Sequence, residues 1–242
     1  MAGSAVFFTG DYRRSLELEE EALDLFRQLG DKRMVARTLV RVSSPTRFLG
    51  DPDRARALVD ESIALYRELG DRSGSIYPLS HIALDEWLRG NRERGVSLAE
   101  EALELAREAG DAWWQVSQLE DLAMMAWELG DLCRAYDLAK EQIRLGRELG
   151  SAVVLLYGLA LLAGVAAKRG DAIRAGRLWG AVEAYEERGA ATFKGEDRAR
   201  YLDAVSSLAG HDLEAGLAEG RAMTLDEALR HTVNPTNSNV QA

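Results

Sequence analysis

Glycines at positions 10, 30, 50, 70, 90, 110, 130, 150 and 170 are spaced by twenty residues without a slip. Each is followed by a residue that favours turns or helix N-caps, namely Asp11, Asp31, Asp51, Asp71, Asn91, Asp111, Asp131, Ser151 and Asp171. A glycine that ends one helix beside a neighbour that starts the next predicts a series of helical hairpins. The blocks alternate in content, so the true period is forty residues, two helix types per unit.

Blocks beginning at 11, 51, 91, 131 and 171 carry small Ser15, Ala55, Gly95, Ala135 and Ala175, then Leu18, Leu58, Leu98, Leu138 and Leu178. These define helix B. Blocks beginning at 31, 71, 111 and 151 carry Leu39, Leu79, Leu119 and Leu159, then Val42, Ile82, Leu122 and Leu162, then small Ser43, Ala83, Ala123 and Ala163. These define helix A, and both patterns place one apolar stripe on a helix face. With Leu119 and Ala123, the Gly130–Asp131 hairpin and Ala135, the chain resembles a tetratricopeptide repeat (TPR) array over residues 1 to 189. The resemblance implies an all-α, right-handed α-α superhelix. The unit is forty residues rather than the ~34 usual for that family, so each hairpin carries extra residues as helix extension or as loop. Three departures stand out. Gly74 and Pro78 predict a helix A that starts late, near Ile76; Pro45, deep in a helix A, predicts a kink or break; and Gln142 replaces a small helix B residue.

Residues Ala152 to Ala167 contain no charge. Gly150 and Gly170 bracket them in phase, and sixteen residues rise only ~24 Å against a ~30 Å hydrocarbon core. The stretch therefore reads as a buried helix A whose outer side must be covered by the tail of the chain. In that tail, GEDRARYLDAVSSL, HDLEAGLAE and TLDEALRHTV read as three short helices, the last opening on a capping box of Thr224 and Glu227. They form an expected helical cap over 190–233, with a disordered tail over 234–242. The segments RLWGAVEAYEERGA, DRARYLDAV and EGRAMTLDEAL resemble the end of the helical-repeat region in bacterial ATP-dependent regulators of the LuxR and MalT kind. That resemblance implies a sensor or interaction segment of a signal-transducing regulator. At the amino end, SAVFFTG sits where the last turn of a helix A would sit, so the first helix reads as incomplete and the chain as a piece of a longer protein. No GxxxxGK[ST] phosphate loop is found.

The formal net charge of −10 argues against direct nucleic-acid contact. Cys133 is the single cysteine, which excludes an internal disulfide and fits a reducing cytoplasm. His81, His211 and His231 share no ligand spacing, and no nucleophile-and-base pair is apparent, so neither metal, cofactor nor enzymatic activity is expected. Arg14, Arg54, Arg94, Arg134 and Arg174 recur four residues into helix B and read as a solvated, carboxylate-paired face.

In TPR-like arrays helix A lines the concave face, and the resemblance places groove residues seven, ten, fourteen and seventeen after each glycine. This selects Arg37, Val40, Ser44 and Arg47; Tyr77, Ser80, Leu84 and Trp87; Ser117, Glu120, Met124 and Trp127; and Tyr157, Ala160, Gly164 and Ala167. Arg37, Arg47, Tyr77, Trp87, Glu120, Met124, Trp127 and Tyr157 are the candidate binding residues. Arginines clamp carboxylates and aromatic rings give contact area at low entropy cost, so the groove suits a peptide, protein segment or small effector. The competing expectation for Trp87 and Trp127 is packing between helices. The competing function is a structural adaptor that self-associates, as a homodimer for example, through its apolar last repeat.

Overall fold

A computed structural model describes residue 6, residues 9–188 and residues 196–230. The expected tail over 234–242 and His231 lie outside them. The described residues form helices and no strand. In chain order they are α1 (Tyr12–Leu29), α2 (Lys32–Phe48), α3 (Pro52–Glu68), α4 (Ile76–Leu88), α5 (Arg92–Glu108), α6 (Ala112–Leu129), α7 (Leu132–Glu148), α8 (Ala152–Lys168), α9 (Ala172–Glu187), α10 (Glu196–Ser206), α11 (His211–Ala222) and α12 (Leu225–Arg230). The fold is an all-α array of consecutively packed helix pairs. Contacts divide it into two compact units, Met1–Trp114 and Gln115–Ala242, with the division inside α6.

The twenty-residue beat is a backbone device. All nine phased glycines have φ between 62° and 93°, the left-handed region open to glycine without a Cβ penalty. At Gly30 the turn returns two orphan donors to α1: Gly30 N–H reaches the Arg27 carbonyl and Asp31 N–H the Phe26 carbonyl, both at 3.1 Å. Asp31 then caps the next helix by accepting from Met34 N–H at 3.0 Å. Asp11, Asp51, Asp111, Asp131 and Asp171 do the same for their helices. Turns this short leave the extra residues of each unit in the helices, which run to 17 or 18 residues in α1, α2 and α3.

Two local irregularities resolve differently. The second helix A starts at Ile76 after a 3₁₀ turn over Ser73–Ser75, as Gly74 and Pro78 predict. Pro45 does not break α2, which continues to Phe48. Proline falls in the last turn, where Leu49 N–H still reaches its carbonyl at 3.0 Å and the Thr46 hydroxyl donates to the Val42 carbonyl at 2.7 Å. Gln142 is buried and donates to Glu120 at 3.2 Å, so a polar tie replaces the close backbone approach of a small residue.

In the second unit thirteen of the seventeen residues of α8 are buried. Their cover comes from α7, α9 and α10, with Tyr201 and Val205 of α10 and Ala228 and Leu229 of α12 in the same core. Among the described residues no helix is long and apolar enough to cross a membrane. Tail helices α10, α11 and α12 lie where the sequence places them, and the capping box is formed: Thr224 N–H donates to Glu227 Oε2 at 2.8 Å and Glu227 N–H to Thr224 Oγ1 at 3.3 Å. The tail also keeps the beat. Gly210 is in phase and α11 opens directly after it, so α10 and α11 behave as a shortened sixth hairpin.

Glycine joins this hairpin to the array. Gly176 and Gly180 on α9 face Gly216 and Gly220 on α11, each pair four residues apart and the two pairs offset by forty. A Cβ on any of the four would collide with a backbone carbonyl of the opposite helix: Leu213, Leu217, Ile173 or Arg177. The helices touch backbone to backbone. Gly220→Ala is therefore expected to cost about 2–3 kcal/mol, against about 1 kcal/mol for Gly130→Ala, which strains only a left-handed turn with open space around it. Urea denaturation measures both, and equal losses would contradict the close approach.

Candidate functional site

A recess in the first unit has a volume of about 650 Å³. The first two turns of α2 supply Arg33, Met34, Arg37 and Arg41, while Tyr77 comes from the start of α4 and Trp114 from the start of α6. Asp71, Ser73, Gly74 and Tyr66 close its floor. The Tyr66 ring lies where a Cβ on residue 74 would be, so glycine is needed there for the ring to seat. Tyr77 stacks edge-on against His81 at 4.7 Å and tilts toward Trp114 at 5.5 Å, giving a continuous aromatic wall.

Opposite that wall stand three arginines in one i, i+4 row, and their charges are not equivalent. Arg33 pairs with Asp71 at 3.2 Å, and Arg41 pairs with the buried Glu19 at 2.6 Å. Asp71 is further committed to Gly74 N–H and the Ser73 hydroxyl, both at 3.0 Å. Asp111, at the rim, caps α6 through Trp114 N–H at 3.1 Å. Arg37 is exposed and makes no ion pair among the described residues. Burial raises the Tyr77 and Tyr66 phenols above their ordinary value, so both stay neutral donors. The recess thus offers one uncommitted cation facing neutral aromatic surface, a setting for a carboxylate attached to an apolar group.

Of the candidates named from sequence, Arg37 and Tyr77 share this recess. Arg47 lies in a separate small hollow with His81 and Asp85, 3.9 Å from the Asp85 carboxylate and over the Phe48 ring. Trp87 is only 6% exposed, wedged against α5 where Gly95 lets the backbones close, with Arg92 over its ring at 4.9 Å. The others belong to the second unit. Met124 and Trp127 are buried, Trp127 beneath Tyr201 at 5.2 Å and Lys168 at 3.8 Å. Glu120 accepts from Gln142, and Tyr157 packs half-buried against the core.

Trp114, Arg41 and Arg33 escaped the sequence reading because of register. At about 100° per residue, positions ten and seventeen turn roughly 60–80° away from position seven and toward neighbouring helices. The open stripe runs instead through positions four, seven, eleven and fourteen: Met34, Arg37, Arg41 and Ser44 in α2, then Gly74, Tyr77, His81 and Leu84 around α4. An i, i+4 step from Arg37 would have found Arg41. Among the described residues no group of three or more His, Cys, Asp and Glu is placed to hold a metal ion.

A family model described as anaphase-promoting complex subunit 5 matches residues 4–84, 75–119 and 112–169. The chain belongs to that family. Its TPR-like helical repeats make it a protein-interaction module. A crystal structure titled BtubC (BKLC), from P. vanneervenii, superposes with a TM-score of 0.69 over 96% of this chain and 96% of that one at 16% identity, a likeness of fold. No curated protein matches the sequence. Neither reported match is a regulator of the LuxR or MalT kind.

The packing sets two expected outcomes. Trp87→Ala should cost about 3–5 kcal/mol of stability by leaving a cavity between α4 and α5, whereas Arg37→Ala, at the surface, should change it by under about 0.5 kcal/mol; thermal unfolding separates them. Burial, reinforced by Arg47, lowers the His81 pKa to about 4. A histidine depressed in the folded state stabilises above its ordinary pKa of about 6.5, and that contribution drains away as pH falls from about 6.5 to about 4 because the unfolded chain takes the proton first. His81→Gln should flatten the urea-midpoint profile in that window relative to the unsubstituted protein; parallel profiles would refute it.

Proposed function

We propose that the chain binds a segment of a partner protein in the α2–α4–α6 recess, with Arg37 clamping a carboxylate and Tyr77 and Trp114 holding an adjacent apolar or aromatic side chain. One observation carries the reading: of the three arginines lining the recess, Arg33 and Arg41 are neutralised by Asp71 and Glu19, leaving Arg37 facing the aromatic wall. An arginine fork beside neutral rings favours a carboxylate on a short, apolar-flanked peptide over a bare ion, because the rings supply contact area that an ion cannot use. The tail's resemblance to bacterial regulators supports placing such a module in a signal-transduction assembly. Self-association through the last repeat has less support, since α8 spends its apolar surface inside the second unit's core.

A random dodecapeptide library displayed on phage and panned against the chain tests the site. Enriched sequences should place Asp or Glu next to an aromatic or large apolar residue. Their affinity should fall about tenfold or more with Arg37→Ala and with Trp114→Ala, while circular dichroism stays unchanged. Peptides that bind both variants as well as the parent would remove the recess as the site.

A further inference from the structure

Ion-pair rungs tie neighbouring hairpins of the first unit and recur at forty-residue spacing. Lys32 pairs with Glu68, and forty residues on Arg72 pairs with Glu108 at 3.0 Å. Beside the first of these, Arg27 pairs with Glu61 at 3.2 Å. The same register sets Arg67 against Glu101, yet neither side chain makes an ion pair or hydrogen bond among the described residues. One rung is open. A cavity of about 290 Å³ lies there, with Arg67 of α3 and Glu101 of α5 both on its lining. Its apolar surface comes from Ile63 and Tyr66 of α3, Leu79 of α4 and Leu105 of α5. The late start of α4 belongs to the same place, since Gly70 and Ser75, on the approach to that helix, also line the cavity. The remaining charges on the lining are spent: Arg72 on Glu108, Glu104 on Arg107 at 3.0 Å, and Asp71 on Arg33. Tyr66 and Asp71 are shared with the α2–α4–α6 recess, so the two cavities are neighbours.

We infer that this cavity binds a free α-amino acid with an apolar side chain, its carboxylate on Arg67, its ammonium on Glu101 and its side chain against Ile63, Leu79 and Leu105. The lining leaves one charge of each sign unspent, and a lone anion or a lone cation would satisfy only half of that. A zwitterion satisfies both. The apolar surface between them offers contact area that a polar zwitterion cannot use, which selects an aliphatic or aromatic side chain. Size is the second restriction. Pockets for drug-sized ligands run to ~300–1,000 Å³, and this one falls just short of that range, so its occupant is small. A peptide carries its two terminal charges on different residues, whereas a single amino acid brings both into one small space. An exposed rung adds little to stability, so leaving one open costs the fold little while it frees two groups for a ligand.

Isothermal titration calorimetry of the full chain with L-leucine, L-methionine and L-phenylalanine tests the site. At least one should bind, and its N-acetyl and carboxamide derivatives, each lacking one of the two charges, should bind at least about tenfold more weakly. Arg67→Gln and Glu101→Gln should each weaken the free amino acid by a similar factor while circular dichroism stays unchanged. The recess also sets a cation beside apolar surface, so Arg37→Ala is the control and should leave this affinity as it is. Absence of binding by all three amino acids up to about 10 mM overturns the proposal. So does equal binding of either derivative, or affinity that is lost with Arg37→Ala and kept with Arg67→Gln, which would place the ligand in the recess.

Discussion

Every helix end in this protein must dispose of unpaired backbone groups, and a turn of two or three residues leaves little with which to do it. The glycine–aspartate pair solves both ends at once: a left-handed glycine lets two N–H groups fold back onto the finishing helix, and the aspartate carboxylate takes a donor from the starting one. Because the turn never changes length, each side chain returns to the same place every forty residues, and apolar stripes that no single hairpin could bury meet in register. Asn91 breaks the pattern informatively. Its amide donates to Glu86 at 2.7 Å rather than capping α5, and Glu86 in turn receives Arg56 of α3. Those hydrogen bonds, from Arg56 first and then Asn91, hold the Glu86 carboxyl below its ordinary range. A local cap has been exchanged for a tie between units.

The same regularity makes the buried charges conspicuous. Glu19 occupies a place filled by Val59, Ala99, Ala139 and Trp179 in later units, yet it is 1% exposed. A buried ion pair adds little to stability over an apolar replacement, so packing does not explain Glu19. What it does is fix Arg41 in the wall of the recess. With Asp71 doing likewise for Arg33, the recess presents, among the described residues, one guanidinium without an ion pair instead of a diffuse basic patch.

The beat, the late start at Ile76, the cover over α8 and the Thr224 capping box could all be read from sequence, because each depends on spacing or on one residue's backbone preference. The recess could be read only in part. Arg37 and Tyr77 emerge from counting along helix A, but Trp87 and Trp127 look identical to groove residues in a one-dimensional register and are turned into the core by about 60–80° of rotation. Nor does counting reveal which arginine is neutralised, since Glu19 lies on another helix and is indistinguishable in sequence from the exposed carboxylates beside it. The glycines of α9 and α11 were visible as two four-residue spacings. Their meaning appears only when the helices are laid together.

That glycine contact also explains why the recess belongs to the first unit. In the second, backbone-close packing of α11 on α9 brings the sixth hairpin down over α8, where Tyr201 closes on Trp127 and Gly164. Arg200 of the same helix reaches Glu128 at 3.1 Å. A-helix surface is thereby spent on finishing the core. In the first unit the corresponding stripe carries Arg37 and Arg41 on α2 and Tyr77 and His81 on α4, where α8 has Tyr157 and Leu161, and it leaves a cavity of about 650 Å³ open. An apolar stripe that must be covered cannot also serve as a reversible binding surface. A polar-aromatic one can, because water satisfies its cation until a partner does.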